Sequence, residues 1–315
     1  MSRAFFTVAG RPRAQGFIRR DNQGNPQSVN ASVPDGDTVG VQLDGSGTVR
    51  FLGIDTPEKS FEQPLGASEV LDSEEWAAYL SDPFAGGAFL DDELVAHLMP
   101  RLSATAGTNH RAHGLAAEAA LQDLIEADIA AMDQDLDTFE YFLSFSYEVF
   151  DSYGRLLAFV NRNQPNAGDP GPRPRSYNER MLEVGMALPY FIWPNIDPFR
   201  DAGTILDAVI PPGQANALAQ ERGALQDARD KVIAARANGL GVFNANDPLR
   251  FEAFEIRYLG RRRPPSRPVI DLGSSGNVIL RPQSYFKIAH AEDRLFLPPE
   301  FLPAFVARGW RLEGW

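Results

Sequence analysis

The sequence predicts an α+β protein, and three stretches carry that prediction. Residues 39–54 hold two short apolar runs, "VGVQL" and "VRFLGI", around the turn-forming "DGSGT", which is a hairpin signal. Residues 139–161 repeat the theme with "FEYFLSFSYEVF" and "GRLLAFVN" around "DSYG", rich in aromatic and β-branched residues. Between them, Leu121, Leu124, Ile125, Ile129 and Met132 follow the three- and four-residue spacing of a helix that buries one face.

The other elements follow in chain order. Residues 15–33 alternate weakly around "DNQGN" and predict a strand, a loop and another strand. Val39, Val41 and Leu43 share one parity, and Asp44-Gly45 with Ser46-Gly47 supplies the tight turn. Residues 60–113 break the β pattern. "SEEWAAYL" and "LDDELVAHLMPRL" predict short helices, the first opened by Ser73 with Glu74 and Glu75, while "ATAGTNHRAHG" reads as a loop. "NQPNAGDPGPRPR" is a Pro/Gly-rich surface loop. "SYNERMLEVGMA" is a short helix, with Ser176 and Glu179 forming a capping box. Residues 214–238 predict a longer helix, with Leu218, Leu225, Ala228 and Val232 aligned and Gly239 as its stop. After Asn246, "LRFEAFEIRYLGRRRPPSRPVIDL" and "NVILRPQSYFKIA" read as strands around a Pro-rich break, and "PPEFLPAFVARGW" as a short terminal helix. The chain thus divides into a main domain, residues 1–245, with a helical acidic insertion at about 60–113, and an extension or subdomain, residues 246–315.

Composition bounds the function. A chain of 315 residues, 43% hydrophobic, can bury a sizeable core. No apolar run approaches the roughly 20 residues that span a bilayer, so no membrane partner is expected. The first residues lack the features of a signal peptide. A cytoplasmic place is expected if the chain is complete, and a secreted one if an export signal was omitted. The absence of cysteine excludes disulfides, thiolate catalysis and Cys-based zinc sites. The net charge of −12 is unusual for a nucleic-acid binder, but its location matters more. Residues 59–140 hold 17 Asp/Glu against 3 Lys/Arg, a local −14; the remainder holds 25 against 27, or +2.

The sequence "DGDTVGVQLDGSGTVRFLGIDTPE", residues 35–58, sets acids at both ends of a hairpin. Asp37 opens one strand and Asp55 closes its partner. Adjacent strands lie about 4.8 Å apart, so the two carboxylates can share a hard divalent cation. Arg50 inside the second strand requires an anion, and its planar fork suits a pair of phosphate oxygens. Pro57 stiffens the turn that carries Glu58. Asp35 reads as a turn-shaping residue with Gly36.

"DGDTV", "VRFLGIDTPE", "DSYGRLLAFV", "YNERMLEVGMALPY" and "ANGLGVF" occur in the order of motifs in the staphylococcal nuclease (thermonuclease) family. The chain resembles that family over roughly residues 28–244, broken by the acidic insertion. The resemblance implies a five-stranded OB-type Greek-key β-barrel with packed helices. It also implies a calcium-dependent phosphodiesterase that cleaves DNA and RNA at P–O5′ and leaves 3′-phosphates. Asp37 and Asp55 match its metal ligands, with the Thr56 carbonyl as a third; manganese and magnesium accept the same oxygens. Glu58 matches the carboxylate assigned to activating water. Arg50 and Arg155 match the pair that grips the scissile phosphate. Tyr153 matches a residue supporting the Arg155 loop, and Tyr190 a tyrosine of the nucleotide pocket. The family's second tyrosine is Ile192 here, followed by Trp193.

Plainer readings stand beside these. Asp-Gly and Asp-Thr-Pro are also ordinary turn chemistry. "DGDTVGVQLDGS" lacks the alternating ligands and closing Glu of an EF-hand. His110 and His113 lack a third ligand nearby and read as parts of a solvated loop. "GSSGN" reads as a turn. "RRRPPSRP" (residues 261–268) suits either a nucleic-acid backbone or a rigid solvated loop. The acidic helices read as solvated cover, or as a surface for a basic protein partner. The rival function is a nucleic-acid- or protein-binding OB module without catalysis.

Overall fold

The computed structural model describes residues 5–8, 11–21, 23–42, 46–61, 70–151, 155–164, 169, 171–196 and 203–314. Strands β1 (Phe5–Val8) and β2 (Arg11–Ile18) open the chain, followed by one helical turn, α1 (Val29–Ser32). Next come β3 (Thr38–Gln42), β4 (Ser46–Phe51) and β5 (Gly53–Asp55). Helices α2 (Glu74–Ser81), α3 (Asp92–Leu98) and α4 (Ala106–Ala131) precede β6 (Glu140–Ser144) and β7 (Leu156–Arg162). Then follow α5 (Tyr177–Glu183), β8 (Leu188–Ile192), α6 (Ala215–Gln220) and α7 (Ala224–Ala237). The chain ends with α8 (Ala253–Arg261), β9 (Val269–Asp271), β10 (Val278–Leu280), β11 (Arg294–Phe296), α9 (Leu302–Ala307) and β12 (Arg311–Glu313).

The architecture is mixed α+β with two sheets. In the first, β2, β3, β4, β7 and β6 pair in that order and β6 returns to β2, closing a ring of five strands. All its pairings are antiparallel except β4 with β7. Val39, Val41, Val49, Phe51, Tyr141, Leu143, Ala158 and Val160 are buried along these strands. Their alternation is what a sheet with one core face demands. The second sheet runs β12-β10-β9-β11-β8-β5. Its β9, β10, β11 and β12 come from residues 246–315, so that segment continues a sheet begun by β5 and β8.

The C-terminal segment also shares a core with the acidic insertion. Trp76, Leu80, Leu94 and Leu98 of α2 and α3 pack in one cluster with Phe254, Ile256 and Leu259 of α8. Two basic side chains of the C-terminal segment pair with acids of this insertion: Arg281 with Asp91, and Lys287, at 2.8 Å, with Glu93.

Several expected elements differ. "ATAGTNHRAHG" is mostly helix, because α4 begins at Ala106. Its glycines are close-approach positions: a Cβ on Gly114 would stand 2.7 Å from the Pro57 carbonyl oxygen. His110 and His113 are therefore buried on α4 and not solvated. The strand expected at 249–260 is helix α8, started by a capping box of Glu252 and Glu255. Residues 214–238 form two helices, broken at Gly223. The second strand expected within 15–33 is the turn α1, capped by Ser28. Ser46 and Gly47, expected in the hairpin turn, already belong to β4, and residues 43–45 lie outside the described residues. The caps at Ser73 and Ser176, the stop at Gly239 and the terminal helix are found where expected. Among the described residues, no helix is long and apolar enough to cross a membrane.

Candidate functional site

The β3–β4 register sets Thr38 opposite Arg50, which brings Asp37 beside the Arg50 guanidinium. Beyond Phe51 the chain must leave the ring. Gly53, at φ 76°, makes that bend, and β5 then pairs with β8, delivering Asp55 back toward Asp37. Both carboxylates are buried. Arg50 Nη1 lies 2.7 Å from Asp37 Oδ2, and its Nη2 donates to Asp55 Oδ1. The Thr56 amide also donates to Asp37 Oδ2, at 3.1 Å, and the Thr38 hydroxyl to Asp37 Oδ1. Asp35 accepts from the Asp37 amide at 3.3 Å, the turn-shaping part expected of it.

Helix α4 is the post against which both acid-bearing turns rest. Gly36 lies so close that a Cβ there would meet Ala117 Cβ at 2.5 Å, and Gly114 admits the Pro57–Glu58 turn in the same way. Lys59 ties the two turns together, donating to the Pro34 carbonyl and to Glu118 of α4.

A residue that sequence reading did not single out completes the cluster. Arg257 of α8 donates to Asp55 Oδ1 (3.0 Å) and Oδ2 (2.5 Å) and to Glu58 Oε1 (2.7 Å). The findable signal was the Glu252-x-x-Glu255 box before an apolar run, which marks a helix and puts Arg257 and Arg261 on one face.

The charges are unequally compensated. Burial pushes the Asp37 carboxyl up to about 7; Arg50 opposes this, while Asp35 and Asp55 add to it. Burial acts on Asp55 too, but Arg257 and Arg50 outweigh it and hold that carboxyl below its usual range. Burial raises Glu58 despite Arg257. Burial disfavours charge on Arg257 as well, yet Asp55 and Glu58 hold its guanidinium well above the ordinary value.

Arg50, Glu58, Arg155 and Tyr190 line one cleft of about 810 Å³, with Asp37, Asp55 and Thr56 buried behind it. Arg155 is held by Asp151, Nε to Oδ2 at 2.7 Å. The Tyr190 ring packs against Phe254 and Phe296. Tyr153 lies outside the described residues. Ile192 also lines the cleft, whereas Trp193 is fully buried and donates from Nε1 to the Ala208 carbonyl.

The donor chemistry suits a hard divalent cation, since Asp37 and Asp55 offer carboxylate oxygens. The present partners of those oxygens are guanidinium groups. Among the described residues, no group of three or more His, Cys, Asp or Glu side chains converges closely enough to hold a metal ion. No family model matches the chain, and no curated protein matches it.

Proposed function

We propose that the protein is a divalent-metal-dependent phosphodiester hydrolase acting on DNA or RNA, with calcium as the first choice and manganese or magnesium able to use the same oxygens. We read the five-stranded ring as an OB-type Greek-key barrel, which its strand order and its one parallel pairing support. One observation carries the activity: Arg155, remote in sequence, faces the same cleft as Arg50 and Glu58, above the buried Asp37 and Asp55.

In this reading Asp37 and Asp55, with the Thr56 carbonyl, hold the ion. When bound, it stabilises charge on the phosphoryl oxygens and lowers the pKa of water. Glu58 is the general base, and burial raises its carboxyl above the ordinary value, which makes it a stronger base than a free glutamate. Arg50 and Arg155 stabilise the extra charge of the in-line transition state. A phosphate would compete with carboxylates for both guanidinium groups, since Asp37 and Asp55 engage Arg50 and Asp151 engages Arg155. Cleavage at P–O5′ to leave 3′-phosphates rests on the resemblance alone.

The test is cleavage of single-stranded DNA and RNA with each metal and with chelator. Glu58→Gln and Arg155→Ala should each lower the rate by about 10²–10³. A protein that cleaves nothing with any of the three metals contradicts the reading. It would then fit a catalytically inactive OB module, a second reading favoured by one observation: both oxygens of Asp55 are already taken by arginines.

A further inference from the structure

The loop after α8, residues 262–268, plays no part in the chemistry above. With α8 and β8 it lines a half-open cavity of about 470 Å³ that adjoins the cleft, Tyr190, Arg257, Arg261 and Arg267 lining both. That volume falls in the range of about 300–1,000 Å³ that small-molecule sites occupy. Arg257, Arg261, Arg263 and Arg267 all line it, and among the described residues no acid does, in a chain of net charge −12. Arg257 is committed to Asp55 and Glu58, and Arg261 lies over the Phe61 ring, so Arg263 and Arg267 are the guanidinium groups that select an anion here.

The rest of the lining narrows the anion's class. Tyr190, Phe254, Pro264 and Pro265 give the cavity an apolar, partly aromatic wall. Arg267 donates from Nη1 to the Tyr190 hydroxyl at 3.2 Å. Its Nε is buried with no hydrogen-bond partner among the described residues. That nitrogen is closed off from the cavity, so what Arg267 offers an acceptor oxygen there is the charge of the rest of its guanidinium. Phosphate oxygens beside a flat ring are what a nucleotide offers.

We propose that this cavity is a second nucleotide subsite, binding the unpaired nucleotide next to the scissile one, its phosphate held by Arg263 and Arg267 and its base against the Tyr190–Pro264 wall. The identity of the scissile phosphate rests on the hydrolase reading; the subsite itself does not. Because the base must be unpaired to enter, the subsite favours single strands.

The test measures binding of a fluorescent single-stranded DNA octamer in chelator by anisotropy, over a range of salt, and cleavage with metal separately. Arg263→Ala and Arg267→Ala should each weaken binding severalfold and flatten the slope of log affinity against log salt by about 0.7. Arg311→Ala, which removes the same charge from the opposite edge of the second sheet, should do neither. Loop variants that match Arg311→Ala, or a wild-type protein that binds no octamer, overturn the subsite. If the wild type binds with the expected arginine dependence but cleaves with no metal, the subsite stands and the hydrolase reading falls. If it cleaves while the loop variants keep wild-type affinity and slope, the subsite falls alone.

Discussion

Acid should act on this fold through His110. The imidazole sits on α4 with no exposed surface, and neither ring nitrogen has a hydrogen-bond partner among the described residues. Burial pushes it down from 6.5 to about 3; Arg257 and His113 assist, while Asp55 and Glu255 oppose. The unfolded chain therefore takes up a proton near pH 6.5 and the folded chain only near pH 3. Between those values the unfolded state binds more protons, so stability falls as pH falls through that window. At about pH 5 the difference in proton uptake is worth about 2 kcal/mol, and below pH 3 it saturates at about 5 kcal/mol. The variant His110→Leu cannot take up this proton. Urea denaturation of both proteins at several pH values isolates the contribution, because the carboxylates titrate in each. The stability of wild type relative to the variant should drop by about 2 kcal/mol between pH 7.5 and 5. At neutral pH the variant should be at least as stable, since it removes two unpartnered polar atoms. Parallel curves for the two proteins would show that the imidazole is not the dry, neutral group described.

Three further outcomes are expected. Gly114→Ala puts a methyl 2.7 Å from the Pro57 carbonyl oxygen and should cost about 1–3 kcal/mol in urea denaturation, with a larger proportional loss of cleavage because the Glu58 turn must move; a neutral substitution would contradict the packing. Asn178→Ala removes the buried side chain that donates to Leu52 O and Ala158 O and accepts from Val160 N, and should cost roughly 2–4 kcal/mol by the same measurement. Calcium at a hundred times its dissociation constant should add about 2.7 kcal/mol of stability, seen as a higher melting temperature that Asp37→Asn abolishes; no response to calcium, manganese or magnesium counts against a cation site.

The local signals that survived folding are those whose physics is local. Ser73 and Ser176 cap their helices because side-chain oxygens satisfy amides within the same turn. The hairpin was legible because Val39, Val41 and Val49 alternate into the ring core. What misled was residue type without its neighbours. The stretch "ATAGTNHRAHG" read as a loop, yet its Gly107 and Gly114 sit where other backbone presses on α4. The aromatic and β-branched residues of α8 read as a strand, because their value lies in filling a core shared with α2 and α3. The Glu252–Glu255 box could have marked the helix that carries Arg257, but not the contact that Arg257 makes. Arg257 meets Asp55 across 202 positions, and no spacing rule reaches that far.

Helix α8 explains why the insertion and the C-terminal segment occur together. Successive helical residues turn by about 100°, so Glu255 and Arg257 point to nearly opposite sides. Glu255 accepts both Arg101 nitrogens on the insertion side, at 2.8 and 2.9 Å, while Arg257 reaches Asp55 and Glu58. Phe254, Ile256 and Leu259 fix the helix between them by burial among the insertion's leucines. The insertion's apolar faces, together with Arg101, thus hold the helix that carries Arg257 into the carboxylate cluster and Arg261 to the cavity beside it. A site built from Asp37, Arg50, Asp55 and Glu58 alone would need no insertion. This one keeps it because the cation that compensates Asp55 and Glu58 is carried by a helix that the insertion braces.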